Sequence, residues 1–295
     1  REQEVAKLTP GRDVAWHEFQ YGVEPADCVP VEGNHPAYIL YTSGTTGAPK
    51  GAELTHFNMF FNAYLASREI VRCTPEDVFL AVLPLFHSFG QTCVMNAAIL
   101  SGAAVTMLPR FETGKALEVI ARDRVTVLAM VPTMYFFLLN MQNWADYDLS
   151  GVRIAISGGA ALPEEVHHQF RERYGITLQE GYGLSETSPV ASFTVAEEEV
   201  RVGSIGRPVW GVEMGVKLDD GGLAAAGETG EIVIRGHNVM KGYLNNPKAT
   251  ASAIVDGWFH TGDIGRQDTD GFFYILDRKK DLIIRGGMNI YPREI

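Results

Sequence analysis

The stretch Tyr41-Thr42-Ser43-Gly44-Thr45-Thr46-Gly47-Ala48-Pro49-Lys50-Gly51 concentrates glycines, four Ser/Thr hydroxyls and one lysine. Glycine lets backbone N–H groups approach an anion closely, hydroxyls add donors, and lysine adds charge. That is the chemistry of a phosphate cradle. It is not a Walker A loop: counted from Gly44, that pattern needs Gly-Lys-Ser/Thr at 49–51, where this chain has Pro49-Lys50-Gly51. A solvated Gly/Thr turn is the bland alternative, and it does not account for so specific a string. Further along, Ser185 can donate to a phosphate oxygen. Glu186 is a hard oxygen ligand suited to Mg²⁺ between phosphates. Asp263 can accept ribose hydroxyls, and Arg278 can donate to ribose or phosphate. Taken alone, Glu186 would be a surface carboxylate and Asp277-Arg278 a surface pair.

Such groups need a scaffold, and the pattern predicts one. Apolar runs at 37–40, 78–83, 103–108 and 125–131, with alternation at 152–156, read as strands. Between them, 91–100, 114–124 and 132–140 read as helices. Pro132 suits a first helical position, and a further helix opens at Pro163 and stops at Gly175. Strands alternating with helices predict an α/β fold with a parallel sheet. After about residue 199 the texture changes to short apolar runs between glycines, which predicts a smaller antiparallel β subdomain. The division expected is 1–200 for an α/β lobe, 201–277 for the β subdomain and 278–295 for a connecting segment. Gly158, Gly159 and Ala160 fall at the carboxyl end of a parallel strand, where open α/β sheets bind ligands. Tyr182, between Gly181 and Gly183, offers a face for stacking on a base, or is a core tyrosine.

Composition narrows the class. The chain has 295 residues and a net charge of −11, which disfavours a nucleic-acid partner. Three cysteines without a CxxC give neither a disulfide framework nor a zinc site, and suit a reducing, cytoplasmic setting. Residues 1–10 carry no apolar signal core. The uncharged run 78–109 is broken by Pro84, His87, Ser88, Gly90 and Gln91. It therefore reads as core and pocket wall rather than a membrane span.

The loop at 41–51 resembles the phosphate loop of the adenylate-forming (AMP-binding) superfamily of acyl-CoA synthetases, luciferases and peptide-synthetase adenylation domains. Further motifs follow in that family's order. They are Ser157-Gly158-Gly159-Ala160-Ala161-Leu162, Gln179-Glu180-Gly181-Tyr182-Gly183-Leu184-Ser185-Glu186 and Gly230-Glu231-Ile232. Then come Lys241-Gly242-Tyr243, Gly257-Trp258-Phe259-His260-Thr261-Gly262-Asp263, Asp277-Arg278 and the segment 286–292. The resemblance implies activation of a carboxylic acid by ATP with release of pyrophosphate, then transfer of the acyl group to CoA. It implies that Thr42, Ser43, Gly44, Thr45, Thr46, Gly47 and Lys50 hold phosphates. Lys50, Thr46 and Glu186 are the implied catalytic set, and Thr42 and Glu186 lie near Mg²⁺. It makes Lys280 a hinge, although a solvated lysine fits equally, and gives Gly286, Gly287 and Met288 to the CoA tunnel.

Pro84-Leu85-Phe86-His87-Ser88-Phe89-Gly90 matches the family segment bordering the acyl pocket. Amino-acid-activating members carry Phe-Asp where this chain has Phe86-His87, and an unpaired buried ammonium is costly. Phe86, His87 and Phe89, with Val94 and Met95, therefore point to a hydrophobic acid. His87 alone would be a satisfied core histidine. Fatty acyl-CoA synthetases are the closest resemblance. An aryl-acid CoA ligase and a non-catalytic nucleotide-binding module are the alternatives. The resemblance leaves room for peripheral membrane contact and a homodimer. Against the family pattern, the early N-terminal lobe and the C-terminal domain with its adenylation lysine lie outside this sequence, and no Lys follows Lys280. The expectation is a competent parent enzyme and a chain impaired or inactive alone.

Overall fold

A computed structural model describes residues 27–42, 49–194 and 200–279, and the backbone of two short strands, Ile283–Arg285 and Met288–Ile290. Contacts divide the chain into two units, Arg1–Glu32 and Gly33–Ile295. In the first, residues 27–32 are exposed coil. Every helix and strand of the described residues belongs to the second.

It opens with a hairpin. Strands β1 (Pro36–Thr42) and β2 (Lys50–Thr55) pair antiparallel, with Thr42 opposite Lys50. The loop between them is therefore closed by the two residues best suited to meet an anion. Thr55 ends β2 and caps helix α1 (His56–Leu65): its Oγ1 accepts from Asn58 N, and Asn58 Oδ1 accepts from Thr55 N. This reciprocal cap satisfies two otherwise orphaned donors.

The α/β part follows the expected alternation. Strands β3 (Val78–Ala81), β4 (Ala104–Met107), β5 (Val127–Met130), β6 (Ile154–Ser157) and β7 (Leu178–Gly183) pair in parallel, in the order β4-β3-β5-β6-β7. Helices α3 (Thr113–Arg122), α4 (Pro132–Leu139) and α5 (Glu164–Tyr174) connect them, with the short α2 (Ala97–Ser101) before β4. Pro132 opens α4, and Gly175 ends α5 in the left-handed region at φ +70°. The stretch predicted as helical from 91 begins at Phe89 and is π-wound to Asn96. Gly90 lets this turn sit on the preceding loop, since a Cβ there would lie 2.7 Å from the Pro84 carbonyl oxygen. Two strands depart from the parallel expectation. β8 (Val190–Phe193) and β9 (Arg207–Pro208) extend the sheet antiparallel beyond β7.

Continuous apolar runs give this sheet two buried faces. Leu80, Leu128 and Ala155 pack with Leu117, Ile120, Tyr135 and Phe170 on one side. Phe79, Val127, Ala129 and Ile156 pack with Ile70, Cys93, Val94 and Ala97 on the other.

After residue 199 the expected antiparallel β structure is present. β10 (Val212–Lys217), β11 (Thr229–Gly236), β13 (Ile254–Val255), β14 (Trp258–Gln267) and β15 (Phe273–Arg278) form a five-stranded sheet. Its core includes Ile232, Ile234 and Phe273. Between β11 and β13, the two-residue strand β12 (Gly242–Tyr243) crosses back to pair with β2, and α6 (Pro247–Ala253) follows it. Among the described residues no helix is long and apolar enough to cross a membrane.

Candidate active site

A cavity of about 1020 Å³ opens where β6 and β7 end, next to the β1–β2 hairpin. The carboxyl ends of parallel strands leave such a crevice because the following loops diverge to opposite faces. Three walls differ in chemistry.

The first wall is polar. Thr42 Oγ1 donates to Glu186 Oε1 at 3.2 Å, across 144 residues of sequence. The Tyr243 hydroxyl donates to the same oxygen at 2.9 Å. Lys50 Nζ stands 5.0 Å above the Tyr243 ring. Burial and the Glu186 charge push the Tyr243 phenol well above its ordinary range, so it remains a donor at neutral pH. Ser185 sits beside Glu186 on the 3₁₀ turn Ser185–Thr187, with its Oγ 3.5 Å from Ser88 Oγ.

The second wall is glycine-rich. Gly158 and Gly159 follow β6, while Gly181, Tyr182 and Gly183 close β7. Here glycine is required by close approach. A Cβ on Gly183 would lie 1.8 Å from the Pro189 carbonyl oxygen, and one on Gly181 would lie 2.7 Å from the Phe193 ring. The Tyr182 hydroxyl donates to Asp263 Oδ2 at 2.7 Å, and Arg278 Nε stands 3.0 Å from Asp263 Oδ1. Burial first, then Asp263, holds the Tyr182 phenol protonated. Next to this wall, Glu231 Oε1 accepts from Gly262 N, and its Oε2 takes Lys279 Nζ at 3.0 Å, with His260 Nδ1 at 3.2 Å. Burial opposes ionisation of Glu231, but these partners outweigh it and hold the carboxyl below its usual range.

The third wall is apolar. Ala66, Ile70, Val71, Phe89, Cys93 and Phe193 enclose an arm reaching between the sheet and the π-helix. Burial lowers the His87 pKa and pushes the Cys93 thiol up to about 12. Both groups are thus neutral near pH 7.

The cavity brings together most of the sequence-predicted residues that are described. Thr42, Lys50, His87, Phe89, Gly158, Gly159, Gly181, Tyr182, Gly183, Ser185, Glu186 and Arg278 all line it. Asp263 is 2% exposed and lies just behind the wall, held by Tyr182 and Arg278. Three expectations need correction. Phe86 was expected in the acyl pocket, but its side chain is 83% exposed and lies outside the cavity lining. The segment turns at Pro84, with His87 N donating to Pro84 O, so that Phe86 and Phe89 diverge. Ala160 is likewise exposed outside the lining, because the turn at Gly159 carries the chain away. Val94 is core rather than pocket wall. Ser43, Gly44, Thr45, Thr46, Gly47, Lys280, Gly286 and Gly287 lie outside the described residues, as does the side chain of Met288.

Sequence reasoning gave no role to Tyr243, Glu231 or His260. The signal was present, since each sits in a quoted motif, but nothing in their types alone assigns them a partner. Ala66, Ile70 and Val71 had no signal, being ordinary residues of a buried helical face.

The chain matches the family of AMP-binding enzymes over residues 2–244. A long-chain-fatty-acid–CoA ligase from Bacillus subtilis is 45% identical over 262 residues, covering 88% of this chain and 47% of the relative. A feruloyl-CoA synthase from Amycolatopsis is 39% identical over 273 residues, covering 92% and 55%. Among solved structures, an o-succinylbenzoate–coenzyme A synthetase from Bacillus subtilis, in complex with ATP and magnesium ion, superposes with a TM-score of 0.81. It is 36% identical and covers 92% of this chain and 57% of the other. The chain spans about half the length of the curated relatives it matches. The likenesses agree, and the chain belongs to the AMP-binding enzyme family.

Proposed function

We propose that the protein activates a hydrophobic carboxylic acid with ATP and transfers the acyl group to CoA. A carboxylate oxygen attacks the α-phosphorus, the bond to pyrophosphate breaks, and an acyl-adenylate forms. The CoA thiol then displaces AMP at the acyl carbon. The observation that carries this reading is one cavity whose lining combines Lys50, Thr42 and Glu186 with the glycine-flanked Tyr182, Gly158, Gly159 and a set of apolar side chains.

In this reading Lys50 and Thr42, with Ser43, Gly44, Thr45, Thr46 and Gly47, hold the β- and γ-phosphates. Ser185 adds a donor, and Lys50, Thr46 and Glu186 form the catalytic set. The small residues at Gly158 and Gly159 let the base lie flat against backbone, and Tyr182 covers it. Asp263 and Arg278 take the ribose. Positioning and fixed charge supply most of the acceleration in displacements of this kind. Glu186 and Thr42 fit magnesium, which is commonly held by one or two carboxylates together with substrate phosphates. Among the described residues no cluster of three or more His, Cys, Asp or Glu offers an all-protein cage instead. When bound, the ion would neutralise phosphate charge. Lys280 is assigned as hinge and Gly286, Gly287 and Met288 as CoA-contacting, in a division of 1–200, 201–277 and 278–295. The three cysteines are free, in keeping with a cytoplasmic enzyme, which cell fractionation would test.

Within this reading the acid is fatty, because Ile70, Val71, Cys93 and Val190 offer the arm no polar recognition. An aryl acid is the second reading, favoured by Phe89 and Phe193 facing the same space and by the feruloyl-CoA synthase relative. The test is pyrophosphate release by the full-length protein with ATP, Mg²⁺ and a panel of fatty and aryl acids, followed by mass detection of the CoA thioester. Release with fatty acids supports the first reading, and release with aryl acids alone supports the second. ATP binding with no acid-dependent release would leave a non-catalytic nucleotide-binding module.

A further inference from the structure

Two opposite charges, Lys50 and Glu186, face the same end of the cavity, yet among the described residues they form no ion pair with each other. Tyr243 stands between them. Its hydroxyl donates to Glu186 Oε1 at 2.9 Å, and its ring carries the Lys50 ammonium 5.0 Å above the centroid. That separation is within the range of a cation–π contact. Thr42 donates to the same Oε1, so neither hydroxyl occupies Oε2.

The ring is fixed from its own backbone. Tyr243 pairs with Ala52 and Gly242 with Glu53, while Leu244 N donates to Gly51 O at 2.8 Å. Tyr243 N donates to Thr250 Oγ1 at 2.8 Å, tying it to α6. Tyr243 is thus registered against the strand that begins at Lys50, two residues from Ala52.

We propose that Tyr243 is a positioning residue with two outputs: its hydroxyl turns the Glu186 carboxylate so that one oxygen stays free for a cation, and its ring face seats the Lys50 ammonium for phosphate. Without the ring, Lys50 and Glu186 would neutralise each other, because opposite charges in a partly desolvated site attract strongly. Without the hydroxyl, the carboxylate would keep a single donor and lose its orientation. The inference rests on the reading of this cavity as a magnesium–nucleotide site.

The two outputs separate in a binding experiment. ATP affinity is measured by calorimetry with EDTA and again with saturating Mg²⁺, for the wild-type protein, Tyr243→Phe and Tyr243→Leu. Thermal unfolding of each serves as the fold control. Tyr243→Phe keeps the ring and loses the hydroxyl. It should leave metal-free ATP binding unchanged and cut the gain from Mg²⁺ about tenfold, the scale of a lost hydrogen bond to a charged group. Tyr243→Leu should lose the Mg²⁺ gain and also weaken metal-free binding about fivefold. If Tyr243→Leu fails to fold, Tyr243→Phe carries the test alone. Tyr243→Phe retaining the full Mg²⁺ gain, or losing metal-free and metal-loaded binding equally, would overturn the proposal. Wild-type protein that binds no Mg·ATP would instead overturn the nucleotide reading, and this inference with it.

Discussion

The two ends of the cavity are built by different rules. At the polar end, Thr42, Lys50, Glu186 and Tyr243 come from four separate elements and are fixed by directional contacts. Each needs a particular atom in a particular place. At the apolar end, Ile70, Val71, Phe89, Cys93 and Phe193 enclose space by packing alone. Hydrogen bonds are expensive to leave unmade, whereas apolar packing tolerates exchange if volume is kept. The polar end therefore specifies a chemistry, and the arm specifies a size.

Removing the charge at the polar end should have the largest effect. Glu186→Gln keeps the shape and loses the anion. Acid-dependent pyrophosphate release should fall about 10²- to 10³-fold, the usual scale for one lost electrostatic stabiliser. The order of preference among acids should not move, because Glu186 does not touch the arm. Steady-state rates over an acid panel would check both parts. A changed order would mean that the two ends are not independent.

The same contrast governs how much was legible in the sequence. The alternation of strands and helices was, because burial on both faces of the parallel sheet leaves apolar runs such as 125–131. The string 41–51 and the motif 179–186 were legible too, and the structure brings Thr42 and Glu186 from them into contact across 144 residues. The partnership of Tyr243 with Glu186 was not legible. It depends on a two-residue strand crossing back to β2, a long-range pairing with no local signature. Phe86 misled for a related reason. In a segment of aromatic residues, which ring faces inward is decided by the turn at Pro84, not by residue type. The antiparallel β8 and β9 were missed because strand direction is a tertiary property. Nothing in Val190 to Phe193 distinguishes it from a parallel strand.

A smaller effect is expected where the glycine wall meets the arm. A Cβ on Gly158 would lie 3.2 and 3.3 Å from two ring atoms of Phe89 and 3.5 Å from the Gly181 carbonyl oxygen. The ring must give by a few tenths of an ångström, into the arm. Gly158→Ala should lower kcat/KM for bulky acids about tenfold relative to small ones, a common scale for a methylene-sized change in an apolar pocket. Mg·ATP affinity should fall as well, because Gly158 is also assigned to the base, but by the same factor whichever acid is present. Equal losses for large and small acids would place the damage at the nucleotide, not in the arm.

The smallest effect concerns Cys93, whose thiol invites a chemical role that the arm does not support. Burial disfavours the thiolate and pushes the pKa up to about 12. At pH 7 to 9 the group stays protonated, so it is a poor nucleophile and acts only through its volume. Iodoacetamide at pH 8 should modify exposed Cys28 and spare Cys93 until the protein unfolds, as read by peptide mass spectrometry. Raising the pH within that window should leave Cys93 untouched. Cys93→Ala should open the arm slightly and shift preference between adjacent acid sizes about fourfold, from ~0.8 kcal/mol per methylene-sized change. Modification of Cys93 in the folded protein, or a shift well beyond tenfold, would mean that its sulfur meets solvent or substrate as a polar group. The arm would then recognise chemistry as well as size, and the contrast with the polar end would fail.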